Sequence, residues 1–175
     1  MFRLAVTLLA CSMAFAQSGP GRPATEAEIK ARDLTVLPNG AGLPKGRGDA
    51  KHGQAIFKEK CEVCHNEQGQ GRENQYPALV GGVGSLSGAS PVKTVGSYWP
   101  YATTLFDYVR RAMPYDHPRS LSADDVYSVS AFVLYLNGIV KETEELNEKT
   151  LPQIKMPNRD GFIPDSRPDV KAKGK

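Results

Sequence analysis

The sequence predicts a helical fold, and three observations support this prediction. Apolar residues recur every three or four positions in two segments, 101–112 and 122–137, which is the spacing of one face of an α-helix. A third segment, 49–60, has the same spacing and begins with a residue type that favours helix N-termini. No alternation of strands and helices surrounds the cysteine pair at 61 and 64, so a sheet-based fold around these thiols is not indicated.

The chain of 175 residues begins with a segment that is typical of a signal peptide. A short basic start precedes the apolar run Leu4–Ala14, and Ala14-Phe15-Ala16 fits the small-x-small cleavage rule. We therefore predict that residues 1–16 are removed, that the mature chain starts at Gln17, and that it is periplasmic. A lipobox ending at Cys11 is the alternative, which the short apolar run before it disfavours.

Two segments rich in proline flank the predicted helices. Residues 17–47 are expected to form an extended or disordered arm, with a turn of helix around 25–32. Residues 141–175 are expected to form a Pro-rich C-terminal tail whose lysine-rich end is frayed. The predicted domain therefore covers residues 48–140.

The first helix of this domain is predicted to start after its N-cap Asp49 and to run to about Lys60. One face carries its apolar or small side chains, at Ala50, Gly53, Ile56 and Phe57. A glycine inside a helix costs about 1 kcal/mol relative to alanine. We therefore expect another helix to cross closely at Gly53.

A long loop and a second helix follow. Residues 66–97 are rich in glycine and have no regular period, so we expect a loop that wraps around a bound group. The helix predicted over Tyr101–Ala112 places four apolar residues on one side: Leu105, Phe106, Val109 and Ala112. Pro114 is expected to end it.

The last helix is predicted from Ser122, its N-cap, to about Asn137, with Gly138 in the position that follows many helix ends. One stripe of this helix carries Val126, Val129, Val133 and Leu136. Phe132 and Tyr135 flank the stripe. This pattern indicates a helix whose role is to pack in the core.

The motif Cys61-Glu62-Val63-Cys64-His65 is the attachment signal of a c-type haem. Both thiols would bond the porphyrin, and His65 would be one axial ligand of the iron. Half of a zinc site and a redox dithiol are the alternatives. A zinc site would need further ligands at a suitable spacing, and the sequence does not offer them. A thioredoxin-like dithiol would need alternating strands and helices around it, and none are indicated. The motif occurs once, so we predict one covalently bound haem c.

The second axial ligand is expected to be Met or His, as in other electron-transfer haems. Met113 is the preferred candidate because Pro114 follows it and would hold the thioether on a rigid exit from the helix. Met156, in a similar Met-Pro string, is the alternative. His117 and an open sixth position remain possible.

Two further residues are candidates for the haem pocket. We expect the carbonyl of Pro77 to orient the second ring nitrogen of His65. The indole N–H of Trp99, the one tryptophan of the chain, would reach a haem propionate. An ordinary core position for Trp99 is the alternative.

Charge and residue content exclude several classes of function. The net charge of +3, or +2 without Arg3, is too balanced to indicate nucleic acid or an acidic membrane as a partner. No apolar stretch long enough for a transmembrane segment is present. No acid–base pair or nucleophile constellation is visible, so we predict an electron-transfer protein and not an enzyme.

The run Gly53-x-x-x-Phe57-x-x-x-Cys61-x-x-Cys64-His65, followed by Pro77-x-Leu79-x-Gly81, a Met-Pro pair and a final helix, resembles class I cytochromes c. The resemblance covers about residues 48–138. It implies an all-α fold, here with extended N- and C-terminal arms. It also implies that the first and last helices cross at Gly53 and the Phe132/Tyr135 face.

Three strings, at 97–114, 133–140 and 156–162, resemble the cytochrome subunits of bacterial sulfur-oxidising molybdoenzymes, namely the Sox sulfur dehydrogenase and sulfite dehydrogenase. This implies a molybdenum-cofactor dehydrogenase subunit as electron donor, and a soluble cytochrome or the respiratory chain as acceptor. A further hypothesis is that Asn158-Arg159-Asp160 docks on the molybdenum subunit. A free-standing electron shuttle and a ligand-binding haem sensor or enzyme are the alternative functions.

Overall fold

The computed structural model describes residues 21–163, 165 and 167. The predicted signal peptide, the Cys11 lipobox and the lysine-rich end of the chain lie outside these residues. The chain divides into two compact units, one ending at Asp33 and the other beginning at Leu34. Within the described part, no helix is both long enough and apolar enough to cross a membrane.

Among the described residues of the first unit, from 21 to 33, Glu26–Arg32 form one short helix, α1. Thr25 caps it through a reciprocal pair of hydrogen bonds with Glu28. Arg22 pairs with the same carboxylate at 2.6 and 2.9 Å, and this pairing is the main reason why the pKa of Glu28 falls to about 2. The turn of helix predicted around 25–32 is confirmed.

The second unit consists of helices joined by long loops and by one very small sheet. Its elements, in chain order, are β1 Arg47–Gly48, α2 Ala50–Lys60, α3 Glu62–His65, α4 Val95–Tyr98, α5 Ala102–Ala112, α6 Ala123–Leu136, β2 Leu146–Asn147 and a 3₁₀ turn at Leu151–Gln153. The two strands are antiparallel, with Arg47 opposite Asn147 and Gly48 opposite Leu146. The fold is all-α in class, as predicted.

Helices α2 and α6 cross at Gly53. A Cβ atom on Gly53 would run into the backbone carbonyl of Ser128 and would lie 2.8 Å from Cβ of Phe132. The rings of Phe57 and Phe132 pack beside the crossing, 5.2 Å apart. The predicted crossing is therefore present, but its closest point is Ser128, and Tyr135 is 40% exposed.

The helix caps follow the predicted chemistry. Asp49 accepts a hydrogen bond from the His52 N–H at the start of α2. Ser122 and Asp125 form a capping box at the start of α6, and Gly138 follows its end with a φ of +68°. Helices α2 and α6 therefore begin and end within one residue of the predicted boundaries.

One element of the predicted loop over 66–97 is helical. Thr94 and Ser97 form a reciprocal capping box around the single turn of α4, and both side chains are buried. The prediction of a loop throughout this segment is thus wrong at its end. A single turn is too short to show a helical period, so only the capping pair could have indicated it.

The proline-rich segments on either side contribute to the core. Leu146, Leu151 and Met156 are fully buried, and Val36 and Leu43 pack against the same cluster while partly exposed. Isolated apolar residues between prolines carry no period, so the sequence gives no sign of this burial. The boundaries at 47/48 and 140/141 stay predictions.

Tyr127 joins α6 to the segment before β1 and gives the fold a testable response to alkali. Its ring packs on Phe106 with centroids 4.5 Å apart, and its hydroxyl donates to the Pro44 carbonyl at 2.8 Å. Burial, more than the nearby charge of Glu148, raises its pKa from 10.0 to about 12.

We therefore expect the free energy of unfolding to fall as the pH rises from about 10 towards 12, because only the unfolded chain then ionises this phenol freely. Tyr127→Phe should lower the free energy of unfolding by about 1 kcal/mol at neutral pH and should flatten this alkaline decline. Urea unfolding of both proteins at several pH values is the measurement. An equally steep decline in the variant would contradict the assignment.

Candidate functional site

The cysteine motif lies at the junction of α2 and α3. Cys61 ends α2, with its N–H donating to the Phe57 carbonyl at 2.8 Å, and also caps α3. The Cys61 carbonyl accepts from the N–H groups of Cys64 and His65 at 3.1 and 2.9 Å. This tight turn brings two thiols and one imidazole onto one short segment, and all three side chains are partly buried.

Cys61 and Cys64 form no disulfide bond, and burial affects the chemistry of Cys61. Burial is the main reason why the pKa of Cys61 rises to about 11, with a smaller contribution from Cys64. A thiol with such a high pKa is a poor redox nucleophile at neutral pH. The alternative of a redox dithiol therefore gains no support from this site.

The His65 ring is held so that one nitrogen faces protein. Its Nδ1 atom is buried and makes no well-aligned hydrogen bond. The Pro77 carbonyl is nevertheless close enough to raise the pKa of the ring, against the larger lowering by burial. The net lowering of the His65 pKa favours the neutral imidazole, which is the form that binds a metal. Because Nδ1 is buried, Nε2 is the nitrogen that is left to bind it.

Two residues that the sequence interpretation missed place the Pro77 segment beside His65. The Asn66 amide donates to the Gly71 carbonyl at 2.5 Å, and the Gly71 N–H donates to the His65 carbonyl at 2.9 Å. Gly71 has a φ of +71°, and a Cβ atom there would lie 2.5–2.7 Å from backbone atoms of residues 76–78. Only glycine fits, and the string Gly69-Gln70-Gly71 was the signal available in the sequence.

The candidates for the second axial ligand differ in their surroundings. Met113 ends α5 and is partly buried at the edge of the core, while the buried Pro114 follows it. Met156 is 1% exposed and therefore enclosed by protein atoms. His117 has a side chain that is 76% exposed, and its Nδ1 lies 3.0 Å from Asp116. An axial ligand has to lie at the edge of the pocket that holds the porphyrin. The partly buried Met113 fits this requirement better than the enclosed Met156 or the exposed His117.

The aromatic residues between α4 and α5 form a small cluster. Trp99 is partly buried and meets the Tyr108 ring edge-on, with centroids 5.7 Å apart. Its neighbour Tyr98 packs against Phe162 with centroids 5.2 Å apart, and the Tyr98 carbonyl accepts from the Asn158 amide at 2.8 Å. The C-terminal segment therefore holds the backbone that carries Trp99.

Metal-binding side chains are sparse elsewhere in the described residues. Over that part of the chain, no group of three or more His, Cys, Asp and Glu side chains is close enough to hold a metal ion. His52, the remaining histidine, is exposed and pairs with Asp49 at 2.8 Å. A four-ligand zinc site has no further ligands at the cysteine motif within these residues.

The cytochrome c family profile matches residues 50–137, from the start of α2 to the C-cap of α6, which is half of the chain. The chain belongs to the cytochrome c family. It carries covalently bound haem c and acts as an electron carrier. Two partly buried thiols and a neutral imidazole with a buried Nδ1 fit this group.

Solved and curated proteins of several kinds are similar to this cytochrome. The crystal structure of the sulfane dehydrogenase SoxCD from Paracoccus pantotrophus matches with 45% identity and a TM-score of 0.78, over 87% of this chain and 75% of that one. Thiosulfate dehydrogenase from Psychrobacter arcticus is 26% identical over 63% of this chain. Photosystem II extrinsic protein V from Microcystis aeruginosa is 30% identical over 61% of this chain and 88% of its own length.

The match to the thiosulfate dehydrogenase covers only part of that protein. This cytochrome spans 34% of its length, so the match concerns one portion of it. The resemblance to cytochrome subunits of sulfur-oxidising enzymes agrees with two of these proteins, the sulfane dehydrogenase SoxCD and the thiosulfate dehydrogenase.

Proposed function

We propose that this cytochrome is the electron-accepting subunit of a periplasmic sulfite or sulfur dehydrogenase of the molybdenum type. The observation that carries the proposal is the similarity to the SoxCD structure, at 45% identity over 87% of the chain. A similarity that extends well beyond the residues 50–137 matched by the family includes the segments outside the haem domain. A cytochrome subunit of one kind of complex would differ from other cytochromes mainly in those outer segments, so similarity there supports a shared role.

In this proposal Cys61 and Cys64 hold the haem covalently, and His65 and Met113 bind its iron. The haem supplies reversible one-electron chemistry. The Pro77 carbonyl would orient the His65 ring, and the Trp99 N–H would donate to a propionate. Helix α3 follows α2 directly, and α2 is packed on α6 at the Gly53 crossing, so the segment that carries Cys61, Cys64 and His65 is attached to the core. The protein thus positions the haem and performs no bond-making step of its own.

Met113 is distinguished from Met156 by replacing each with alanine in the holoprotein. Met113→Ala should abolish the weak long-wavelength absorption band of methionine-bound ferric haem and create a site that binds CO. Met156→Ala should keep that band while lowering the free energy of unfolding by about 2–5 kcal/mol, since it empties a buried core position. Retention of the band in Met113→Ala would contradict the assignment.

The partner is tested by purifying the tagged cytochrome from its native cells and measuring iron and molybdenum in the eluate. We expect a stable complex with one molybdenum per haem, whose haem is reduced on addition of sulfite or a reduced sulfur compound. Recovery of the cytochrome alone, with salt-sensitive reduction by many donors, would favour the free-standing shuttle. CO binding to the reduced wild-type protein would favour the sensor.

A further inference from the structure

Asn137, at the end of α6, holds the loop that approaches His65. Its amide nitrogen donates to the Leu79 carbonyl at 3.2 Å and to the Val133 carbonyl at 2.8 Å. Because both partners are acceptors, the orientation of the amide is fixed. The oxygen of the same amide is buried and makes no hydrogen bond within the described residues.

The backbone of Leu79 and of the residues before it contacts the segment that follows the haem-binding motif. The Leu79 N–H donates to the Gly69 carbonyl at 2.8 Å, four residues after His65 in the chain. Leu79 is only two residues beyond Pro77, whose backbone packs against Gly71, and the Gly71 N–H donates to the His65 carbonyl at 2.9 Å. The Asn137 amide is therefore the point at which α6 fixes this loop.

Helix α4 closes over the Asn137 side chain. A Cβ atom on the buried Gly96 would meet the carboxamide oxygen and would lie 2.6 Å from the carboxamide carbon of Asn137. The amide oxygen thus lies between α4 and the loop, where it is buried from water. Hydrogen bonds in such surroundings hold their geometry more strongly than exposed ones.

We infer that Asn137 is a positioning residue that holds the Pro77 segment beside the buried Nδ1 of His65, so that its carbonyl is the acceptor for this nitrogen, and thereby sets the reduction potential of the haem. The inference goes beyond the proposed partner and rests on the proposal that His65 binds the iron. A firm acceptor at Nδ1 makes an imidazole a better electron donor to its metal. That favours the ferric state and lowers the potential.

Asn137→Leu tests the inference because leucine has nearly the same size and cannot donate. We expect the midpoint potential to rise, and the Nδ1 proton of His65 to shift in the NMR spectrum and to exchange faster with solvent. Asn137→Ser, which retains one donor and is the milder change, should shift both readouts less. If Asn137→Leu fails to yield folded holoprotein, the serine variant decides.

Tyr127→Phe is the matched control. It also removes one hydrogen bond made by a side chain of α6, the one to the Pro44 carbonyl, but near the opposite end of the helix from Asn137. It should lower stability without changing the potential or the His65 proton. A potential equal to that of the wild type in folded Asn137 variants would overturn the inference. Separately, a low-spin spectrum that survives His65→Ala would show that the ligand assignment itself is wrong.

Discussion

Replacing Gly53 with valine should lower the free energy of unfolding by about 3 kcal/mol or more. The added Cβ would collide with the Ser128 carbonyl, which is backbone and cannot rotate away. Helices α2 and α6 would then have to separate, and the contact between Phe57 and Phe132 would be lost. Because Cys61 ends α2, the fraction of chains that carry haem should fall as well.

Gly88→Val is the control for the loss of a glycine as such. A Cβ atom on Gly88 has one neighbour within 4 Å, the Ser85 carbonyl oxygen at 3.3 Å. We expect its free energy of unfolding to stay within about 0.5 kcal/mol of the wild type. Denaturant unfolding followed by circular dichroism compares the two, and equal stability of both variants would contradict a close helix crossing.

Ending the chain after Thr150 should leave a domain that is largely unfolded and that loses its native haem spectrum. The truncation removes the fully buried Leu151 and Met156, and each such loss costs about 2–5 kcal/mol. It also removes the hydrogen bond from Asn158 to Tyr98 and the stacking of Arg159 over the Tyr101 ring at 4.2 Å. The total approaches the whole stability of a typical domain.

This result would differ from the hypothesis that Asn158-Arg159-Asp160 serves only to dock a molybdenum subunit. In that case the truncated protein would keep its spectrum and lose only its partner. Ending the chain after Ile163 is the control, because it retains each of these contacts. If both truncated proteins keep the wild-type spectrum and melting temperature, the C-terminal segment does not support the haem domain.

The sequence predicted the helices and the haem motif because both are local patterns. A capping residue and a 3–4 spacing are enough to place α2 and α6, and the spacing alone, ended by Pro114, places α5. The cysteine motif has a covalent reason for its spacing. The crossing at Gly53 was predictable because a glycine inside a helix needs a compensating close contact.

Other features depend on contacts between distant parts of the chain. Burial of Leu151 and Met156 follows from how the C-terminal segment folds back on the core, which no local period reports. The roles of Asn66 and Asn137 consist of hydrogen bonds to backbone carbonyls, five residues away in one case and 58 in the other. Polar residues of this kind look like ordinary surface residues until their partners are known.

We conclude that this chain carries single electrons on one covalently bound haem. The decisive experiment is a redox titration of the purified chain, with electrons counted against haem that stays on the polypeptide after denaturation. We expect one haem and one electron per chain, taken up reversibly, with a low-spin spectrum in both states. Uptake of two electrons by a colourless protein would instead identify Cys61 and Cys64 as a dithiol and would show that this chain is not a haem electron carrier.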